Sequence, residues 1–478
     1  MEYNKNLINK VNIGIINTLK GSIIMRKYFG TDGIRRIANT ELTPELVYKV
    51  AKAGAYVLSK HTNYRPTILI GRDTRISGTL IESAMVAGFL SYGANVKLLG
   101  VLPTPAVAYL TRKLQADASV VISASHNTYE FNGIKFFSNK GMKIPDTLEE
   151  EIEEIMESGK LEELTAVNDK IGTSEYCLDL MEEYVYFFRK NFDDDFDKYK
   201  DKDFVVGIDT ANGATSVVAE KVFKALGIKY KIINNAPDGI NINHDCGSTH
   251  LEGLKKFVVE NKLNLGIAYD GDGDRCLAVD EKGNEIDGDI ILSIISNSLR
   301  KKGKLSKDTI VATVMSNLGL NKYCRDNGLE LLQTKVGDRY VLEEMLKDGF
   351  NLGGEQSGHV ILLDYNPTGD GILTSLMLIK AILEENAKAS ELRSRIKIYP
   401  QVLINAKVNS DKKYDFKEDK EINDAIERLE KEFAGNGRVL IRPSGTEPLV
   451  RVMIEGEDQT YITEKAQGIA NLIERKLK

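Results

Sequence analysis

Short apolar runs alternate with polar turns and helical stripes along most of the chain. After Thr67 the run TILIG is followed by a polar turn, a helically spaced stripe through SGTLIESAMVAGFLSYG, and a second run, VKLLG. This order predicts a strand, a helix and a strand that form a βαβ unit. The same order returns from residue 204 and again from residue 309, so the pattern predicts three similar α/β domains.

The pattern changes towards the C-terminus. There the strand-like run VLINAKVN precedes a polar helix over EINDAIERLEKEFAG, two strands, GRVLIRPS and LVRVMIEG, and a last helix over TEKAQGIANLIERKLK. These segments predict a smaller α+β domain. Turn and charge clusters then divide the chain into domains over residues 25–180, 181–283, 284–396 and 397–478.

The first 24 residues differ from the rest of the chain. They are rich in Asn, Ile and Lys, show no clear period, and precede a second methionine, Met25, where MRKYFGTDGIR begins. We interpret residues 1–24 as an N-terminal extension. One hypothesis is that translation of the native protein starts at Met25, which an intact mass would test.

Composition narrows the class of protein. The 478 residues are 42% hydrophobic and 28% charged, with a net charge of -6, which predicts a packed protein and argues against an extended surface for nucleic acid. The four cysteines have no paired spacing, and no run of about 18 apolar residues exists. We therefore expect a cytoplasmic protein that has no membrane span and acts on small molecules.

The first loop with candidate chemistry follows the apolar run VVIS. Ser125, His126 and Asn127 stand in the polar turn after that run, where a serine is exposed and positioned. Ser and Asn in turns often hydrogen-bond their own backbone, and a nearby His is often structural. Taken alone, this loop does not distinguish a nucleophile from a structural turn.

The second loop brings three carboxylates together. Asp270, Asp272 and Asp274 alternate with glycines after the strand-like run LGIAY. Their mutual repulsion favours a bound cation, and carboxylates suit a hard ion such as Mg²⁺. Counted from Asp270, the spacing also matches an EF-hand calcium loop, with Glu281 at position 12. However, position 6 is Arg275 where an EF-hand has Gly, and the flanking segments look like strands instead of helices.

Two further loops contain groups suited to sugars and phosphates. In NLGGEQSGHVILLDY, Glu355, Ser357 and His359 occupy alternate positions of a glycine-rich turn and are suited to sugar hydroxyls, although a tight structural turn explains them too. In VLIRPSGTEPLVRV, Arg442 and Arg451 bracket the sequence Ser-Gly-Thr. Two arginines, hydroxyls and open backbone N–H groups favour a phosphate site.

These four loops, in this order and together with YFGTDGIRR and GRDTRISG, resemble the α-D-phosphohexomutase superfamily from about Met25 to the C-terminus. The resemblance implies four domains around a central cleft, three of them α/β with mixed sheets and the last a smaller α+β domain. It implies an isomerase that moves a phosphate between the 6- and 1-positions of a hexose. The G-E-Q-S-G-H and F-G-T-D-G motifs favour glucosamine phosphates over mannose or glucose phosphates.

The resemblance also implies roles for residues. Ser125 carries the phosphoryl group and, with Asp270, Asp272 and Asp274, holds one Mg²⁺; Arg35 lies beside the reacting group. Lys135 and His359 are candidates for proton transfer, and His126 and Arg275 orient the phosphoserine. The loop with Glu355 and Ser357 binds and recognises the sugar. The substrate phosphate is bound by Arg442, Ser444, Gly445, Thr446 and Arg451.

The same resemblance implies a reaction through glucosamine 1,6-bisphosphate, which acts as intermediate and activator. It implies a phosphorylated Ser125 in the active enzyme and a product that feeds UDP-N-acetylglucosamine and cell-wall precursor synthesis. A homodimer and a non-catalytic sugar-phosphate sensor stay open. The chain departs from the family pattern at Thr128, which replaces the proline of S-H-N-P, and at Arg36, which replaces the glycine of G-I-R-G.

Overall fold

The computed structural model describes residues 27–30, 32–444 and 447–478. The interpretation of residues 1–24 therefore lies outside the described part of the chain, as do Gly445 and Thr446 of the predicted phosphate loop. Four sheets build four domains, of which the first three are α/β and the last is smaller. This architecture confirms the predicted fold class.

The first domain has a six-stranded mixed sheet in the order β1-β5-β4-β2-β3-β6. Its strands are β1 (Ile34–Ile37), β2 (Thr67–Arg72), β3 (Asn95–Val101), β4 (Ala118–Ile122), β5 (Phe131–Ser138) and β6 (Ser174–Tyr176). Its helices are α1 (Pro44–Ser59), α2 (Gly78–Tyr92), α3 (Thr104–Lys113) and α4 (Asp146–Glu157). Helix α1 begins where the Thr43 hydroxyl accepts from the N–H of Leu46, with Pro44 in the first turn.

The second domain has five strands in the order β11-β10-β9-β7-β8. They are β7 (Val205–Asp209), β8 (Lys229–Ile233), β9 (Leu265–Tyr269), β10 (Cys276–Asp280) and β11 (Glu285–Ile286), with helices α5 (Met181–Asp197), α6 (Ala219–Ala225) and α7 (Glu252–Glu260). The helix predicted over GATSVVAEKVFKALG is interrupted, because Val218 has non-helical angles (φ -125°, ψ -28°). A 3₁₀ turn, Ala214–Val217, precedes α6 instead.

The third domain has four strands in the order β13-β12-β14-β15. They are β12 (Thr309–Thr313), β13 (Glu330–Thr334), β14 (Leu352–Gly354) and β15 (Val360–Leu362). Its helices are α8 (Gly288–Lys301), α9 (Leu318–Asp326), α10 (Asp338–Asp348), α11 (Gly371–Glu385) and α12 (Ala389–Arg393). Only β15 runs antiparallel to its neighbour, so the loop between β14 and β15 turns back on the sheet edge.

The fourth domain has a core of its own beneath an antiparallel sheet in the order β16-β18-β17. Its elements are β16 (Gln401–Lys407), α13 (Lys420–Phe433), β17 (Arg438–Pro443), β18 (Leu449–Glu455) and α14 (Gln459–Leu477). Among the helices of the described ranges, none combines the length and apolar character that a bilayer crossing needs.

Helix α5 joins the first three domains. It packs against α3, α6 and α11, one helix from each of these domains. Its aromatic face is buried, and the Tyr184 hydroxyl donates to Asp370 at 2.8 Å, at the start of α11. The loops after β4, after β9 and between β14 and β15 therefore keep fixed relative positions.

Candidate active site and metal centre

Ser125 lies just beyond the end of β4, in the turn that the sequence predicts. Its hydroxyl donates to Asp270 Oδ2 at 2.7 Å, across the boundary between the first and second domains. The residue is only 1% exposed and adopts φ 51°, a left-handed conformation that is uncommon for residues other than glycine. Such local strain persists only where the surroundings hold it.

Two side chains hold this strained turn by its carbonyl groups. The fully buried Arg75 donates to the carbonyl oxygens of Ser125 (3.0 Å) and Asn127 (2.8 Å) and to those of Thr128 and Phe131. Asn243, from the second domain, donates to the same Ser125 and Asn127 oxygens at 2.8 Å each. Asp73 pairs with Arg75 at 2.8 Å, which completes a scaffold beneath the serine.

The three aspartates converge, as the sequence predicts. One carboxylate oxygen from each of Asp270, Asp272 and Asp274 lies within 4.8 Å of the other two, and all three side chains are buried. A side chain at Gly271 would place its Cβ 2.6 Å from the Ser125 carbonyl oxygen. The glycine therefore allows the aspartate loop to approach the serine turn.

The chemistry of these oxygens fits a metal ion. Asp272 Oδ1 and Asp274 Oδ1 are buried and lack hydrogen-bond partners within the described residues. A buried carboxylate oxygen without a partner carries a desolvation cost that a cation removes. An all-oxygen ligand set is typical of Mg²⁺ or Ca²⁺. The loop is flanked by the strands β9 and β10, so it is not an EF-hand, and Glu281 accepts from Ser390 instead.

Lys135 supplies a cation beside the triad. It is buried, and its ammonium lies 2.9 Å from Asp272 Oδ2 and 3.9 Å from Asp274 Oδ2. Burial raises the pKa of Asp270, and the neighbouring Asp274 and Asp272 raise it further. For Asp274 burial acts in the same direction, but the charges of Lys135 and His359 outweigh it and lower the pKa.

Arg35, His126 and Arg275 line the cavity next to this centre. Arg35 donates to Asn127 Oδ1 and to Asp32 Oδ2, each at 3.0 Å, so it is fixed beside the serine turn. Arg275 approaches His126 Nδ1 at 3.3 Å. Burial, Arg275 and Arg35 lower the pKa of His126 to about 4, which leaves its imidazole neutral at pH 7.

The predicted sugar loop lies between β14 and β15. Glu355 lines the cavity and accepts from the N–H of Gly337 at 3.1 Å, whereas Ser357 is exposed at the loop tip and is not part of the cavity wall. His359 is buried, with Nδ1 3.6 Å from Asp274 Oδ2 and Nε2 accepting from the N–H of Gly369 at 3.0 Å. Burial opposes a charge on His359, but Asp274 outweighs it and raises the pKa.

The predicted phosphate loop lies at the end of the fourth domain's sheet. Arg442 and Arg451 face each other across β17 and β18, and the Nε atom of each is buried and has no hydrogen-bond partner within the described residues. Arg451 Nη2 lies 3.6 Å from Glu447 Oε2. Burial and the charge of Arg451 lower the pKa of Arg442. Ser444 is buried, and its hydroxyl accepts from the N–H of Glu447 at 3.3 Å. Unpaired guanidinium donors of this kind suit an anion.

Residues of the serine, aspartate and sugar loops line one cavity, which has a volume of about 600 Å³. Its described lining comes from the first three domains and includes Arg35, His126, Arg275, Glu355 and His359. Arg442 and Arg451 are not among the lining residues. The structure therefore brings the serine, metal and sugar loops together, whereas Arg442 and Arg451 lie outside the described lining of the cavity.

Sequence reasoning assigned no role to several residues at this site. Asp32 and Arg75 stand in the motifs F-G-T-D-G and G-R-D-T-R, but the motifs alone do not show what these side chains contact. Lys143 and Asp338 also line the cavity and form an ion pair at 2.6 Å across the first and third domains. The only feature of the sequence that these residues share is a charged side chain in a glycine-containing segment. That feature is common, so it is a weak indication of a functional site.

Comparisons with known proteins agree with this architecture. Four domain families described as phosphoglucomutase/phosphomannomutase match the chain, namely alpha/beta/alpha domain I over residues 26–163, alpha/beta/alpha domain II over 182–283, alpha/beta/alpha domain III over 287–399, and the C-terminal domain over 403–472. The fold and site thus define a four-domain phosphosugar mutase.

Relatives narrow this class. The phosphoglucosamine mutase of Clostridium kluyveri is 53% identical over 95% of this chain and all of its own length. The chain therefore belongs to the phosphoglucosamine mutases, within the phosphoglucomutase/phosphomannomutase family.

Solved structures share the fold at lower identity. A phosphoglucomutase/phosphomannomutase family protein from Burkholderia thailandensis superposes with a TM-score of 0.75 at 20% identity, covering 94% of this chain and 97% of the other. The N-acetylphosphoglucosamine mutase of Aspergillus fumigatus, in complex with GlcNAc-6P and magnesium, superposes with a TM-score of 0.62 at 17% identity. This superposition covers 95% of this chain and 96% of the Aspergillus fumigatus chain. At such identities the comparisons establish the fold alone.

Proposed function

We propose that the protein interconverts glucosamine 6-phosphate and glucosamine 1-phosphate through a phosphoryl group carried on Ser125. The observation that carries the reaction type is the 2.7 Å contact of Ser125 Oγ with Asp270 Oδ2, at the edge of a buried triad of carboxylates. The substrate follows from the 53% identity with a phosphoglucosamine mutase over that relative's full length.

Transfer proceeds in two half-reactions. In the first, the free hydroxyl of the sugar phosphate bonds to the phosphorus on Ser125 while the bond from phosphorus to Oγ breaks. The hydroxyl gives up a proton, Oγ receives one, and the sugar becomes a 1,6-bisphosphate. The bisphosphate then turns around and returns its other phosphoryl group to Ser125.

The residues have separable roles in this scheme. Asp270, Asp272 and Asp274 would hold Mg²⁺, which would offset charge on the phosphoryl oxygens. Arg35 and Lys135 add positive charge beside the phosphoryl group, and Lys135 and His359 are the proposed proton carriers. His126 and Arg275 orient the phosphoryl group on Ser125.

The remaining loops hold the sugar and its other phosphate. Glu355 and Ser357 would accept hydrogen bonds from sugar hydroxyls or the amine. Arg442, Ser444, Gly445, Thr446 and Arg451 would bind the phosphate that does not react. Because the bisphosphate turns around, this loop must bind a phosphate in both orientations of the sugar, which a movable fourth domain permits.

A steady-state assay tests the proposal directly. Purified protein is supplied with Mg²⁺, a trace of glucosamine 1,6-bisphosphate, and glucosamine 6-phosphate, mannose 6-phosphate or glucose 6-phosphate in parallel. We expect the highest kcat/KM with glucosamine 6-phosphate. A higher value with mannose or glucose phosphate would overturn the substrate assignment, and no turnover of any sugar would favour a sugar-phosphate sensor.

A further inference from the structure

Asp32 contacts three cationic side chains at the edge of the cleft. Its carboxylate lies 3.0 Å from Arg35 Nη2 and 3.0 Å from Lys135 Nζ, and it also pairs closely with Lys143. Burial opposes a charge on Asp32, but Lys135 and Lys143 outweigh it and lower the pKa of the carboxyl. One ionised carboxylate therefore holds both cations proposed to act on the phosphoryl group.

Lys143 continues this contact into the third domain. It follows β5, and its ammonium lies between Asp32 and Asp338, 2.6 Å from Asp338 Oδ2. Asp338 Oδ2 also faces His359 Nε2 at 3.5 Å. The adjoining Gly337 donates its N–H to Glu355. Lys143 and Asp338 thus connect the phosphoryl-transfer cations with the two cavity-lining groups of the sugar loop.

The contacts close into a ring. His359 faces Asp274 at 3.6 Å, and Asp274 faces Lys135 at 3.9 Å. In order around the ring, the members are Lys135, Asp32, Lys143, Asp338, His359 and Asp274. They come from the first three domains, so the ring crosses each boundary between these three domains, and all members except Lys135 line the cavity.

We propose that Asp32, Lys143 and Asp338 are positioning residues, which hold Arg35 and Lys135 at a fixed distance from Glu355 and His359. This inference rests on the proposed function, because it assigns those four residues to phosphoryl transfer and sugar binding. Reacting groups must be held to within an ångström or so, since such a misplacement costs on the order of 100-fold in rate. A set of charges bridging two domains supplies that constraint.

Stability alone is a poor explanation for this arrangement. Replacing a buried ion pair with apolar residues often leaves stability unchanged or improved, because the charges lose their hydration. The Arg339–Asp146 pair already bridges the same two domains from a more exposed position. It neither belongs to the ring nor lines the cavity, and it offers a matched control.

The test compares Lys143→Met, Lys143→Arg and Asp338→Asn with the control Arg339→Gln. We expect Lys143→Met and Asp338→Asn to lower kcat at least tenfold per folded enzyme, and Arg339→Gln to keep kcat within twofold. Lys143→Arg keeps the charge and should recover most of the loss. The double variant Lys143→Met/Asp338→Asn should lose less than the product of the two single losses, because both substitutions break the same Lys143–Asp338 contact.

Three results would overturn the proposal: kcat of Lys143→Met within twofold of the parent, a loss that only tracks the folded fraction, or an equal loss in Arg339→Gln. If the parent itself turns over no sugar phosphate, the proposed function fails separately. In that case, hydrogen exchange of the peptides over residues 32–36 and 335–339 still tests whether Lys143 holds the two segments in place. Lys143→Met should speed exchange in both peptides at least tenfold, and unchanged exchange in either overturns the proposal.

Discussion

Ser125 Oγ donates a 2.7 Å hydrogen bond to Asp270 Oδ2, although the two residues belong to different domains. Asp270 directly follows β9, and Ser125 stands just beyond the end of β4. Ligands of open α/β sheets bind beyond the carboxyl ends of parallel strands, and here two such sheets share one site. The phosphoryl carrier and the candidate metal site are thereby formed together.

Metal binding should stabilise the folded protein even without substrate. Mg²⁺ added to metal-free protein would bind the converged aspartates and not the unfolded chain, so it should raise Tm, by an amount that grows with concentration. Differential scanning calorimetry with Mg²⁺ from 0.1 to about 10 mM checks this. In Asp272→Asn the increase should shrink strongly. An equal increase in that variant would place the ion elsewhere.

The scaffold beneath Ser125 should depend on Arg75. Arg75→Met leaves Asp73 buried without its cationic partner and removes the guanidinium donors from the carbonyl groups of the turn. Breaking a buried pair from one side costs about 3–5 kcal/mol, so Tm should fall clearly and turnover should be lost. Adding Asp73→Asn removes the unpaired charge and should recover part of the Tm but not the turnover. No recovery of Tm would contradict this account.

Asp289 gives a pH dependence that is separate from the active site. It is fully buried on α8, with one oxygen accepting from the N–H of Asn317 at 2.6 Å and the other without a partner within the described residues. Burial and the nearby charge of Asp287 raise the pKa of Asp289 to about 8.

In the unfolded chain Asp289 loses its proton near the ordinary carboxyl pKa, whereas in the folded protein it keeps the proton up to a pKa of about 8. The protonated carboxyl therefore favours the folded state at low pH, and this contribution to stability is lost as the pH rises to about 8. We expect the Tm of the parent to fall, relative to that of Asp289→Asn, between pH 5 and about 8. Asp326→Asn, at an exposed pair, is the control. Parallel Tm profiles of parent and Asp289→Asn would contradict the prediction.

The fourth domain should close over the substrate. Arg442 and Arg451 do not line the cavity, yet their unpaired Nε atoms suit a phosphate. Small-angle scattering should show a smaller radius of gyration when glucosamine 6-phosphate is added, with hinge motion near residue 397. Identical scattering from the free and bound protein would contradict closure.

Binding should also depend on these arginines. Arg451→Gln should raise KM about 10- to 100-fold, as expected for the loss of a hydrogen bond between charged groups, and should change kcat much less. Arg428→Gln, at an exposed position of α13 in the same domain, is the control and should leave both values unchanged. A large fall in kcat with unchanged KM would argue against binding of the non-reacting phosphate.

The fold class and the positions of the serine and aspartate loops could be predicted from the sequence, because each depends on the pattern of neighbouring residues. The three aspartates converge because glycines separate them after a buried strand, and Ser125 follows another such strand, so both loops could be located from their own residues. The fold class followed from recurring strand and helix periods in the same way. Family resemblance then connected the loops.

The ring of charges could not be predicted by the same means. Lys143 and Asp338 are 195 positions apart in the sequence, and Asn243 and Ser125 are 118 positions apart. Lysines, aspartates and asparagines in turns are common, and no spacing marks these particular ones. Their contacts form where the first three domains pack against one another. Domain packing, which a one-dimensional pattern does not encode, determines them.

Intact mass spectrometry combined with a turnover assay tests whether Ser125 carries the phosphoryl group. Parent protein incubated with glucosamine 1,6-bisphosphate should gain the mass of one phosphoryl group and turn over glucosamine 6-phosphate. Ser119→Ala, on the strand that precedes the turn, should do the same. Ser125→Ala should do neither while keeping its fold. A Ser125→Ala variant that still gains the phosphoryl mass, or remains fully active, would contradict the claim.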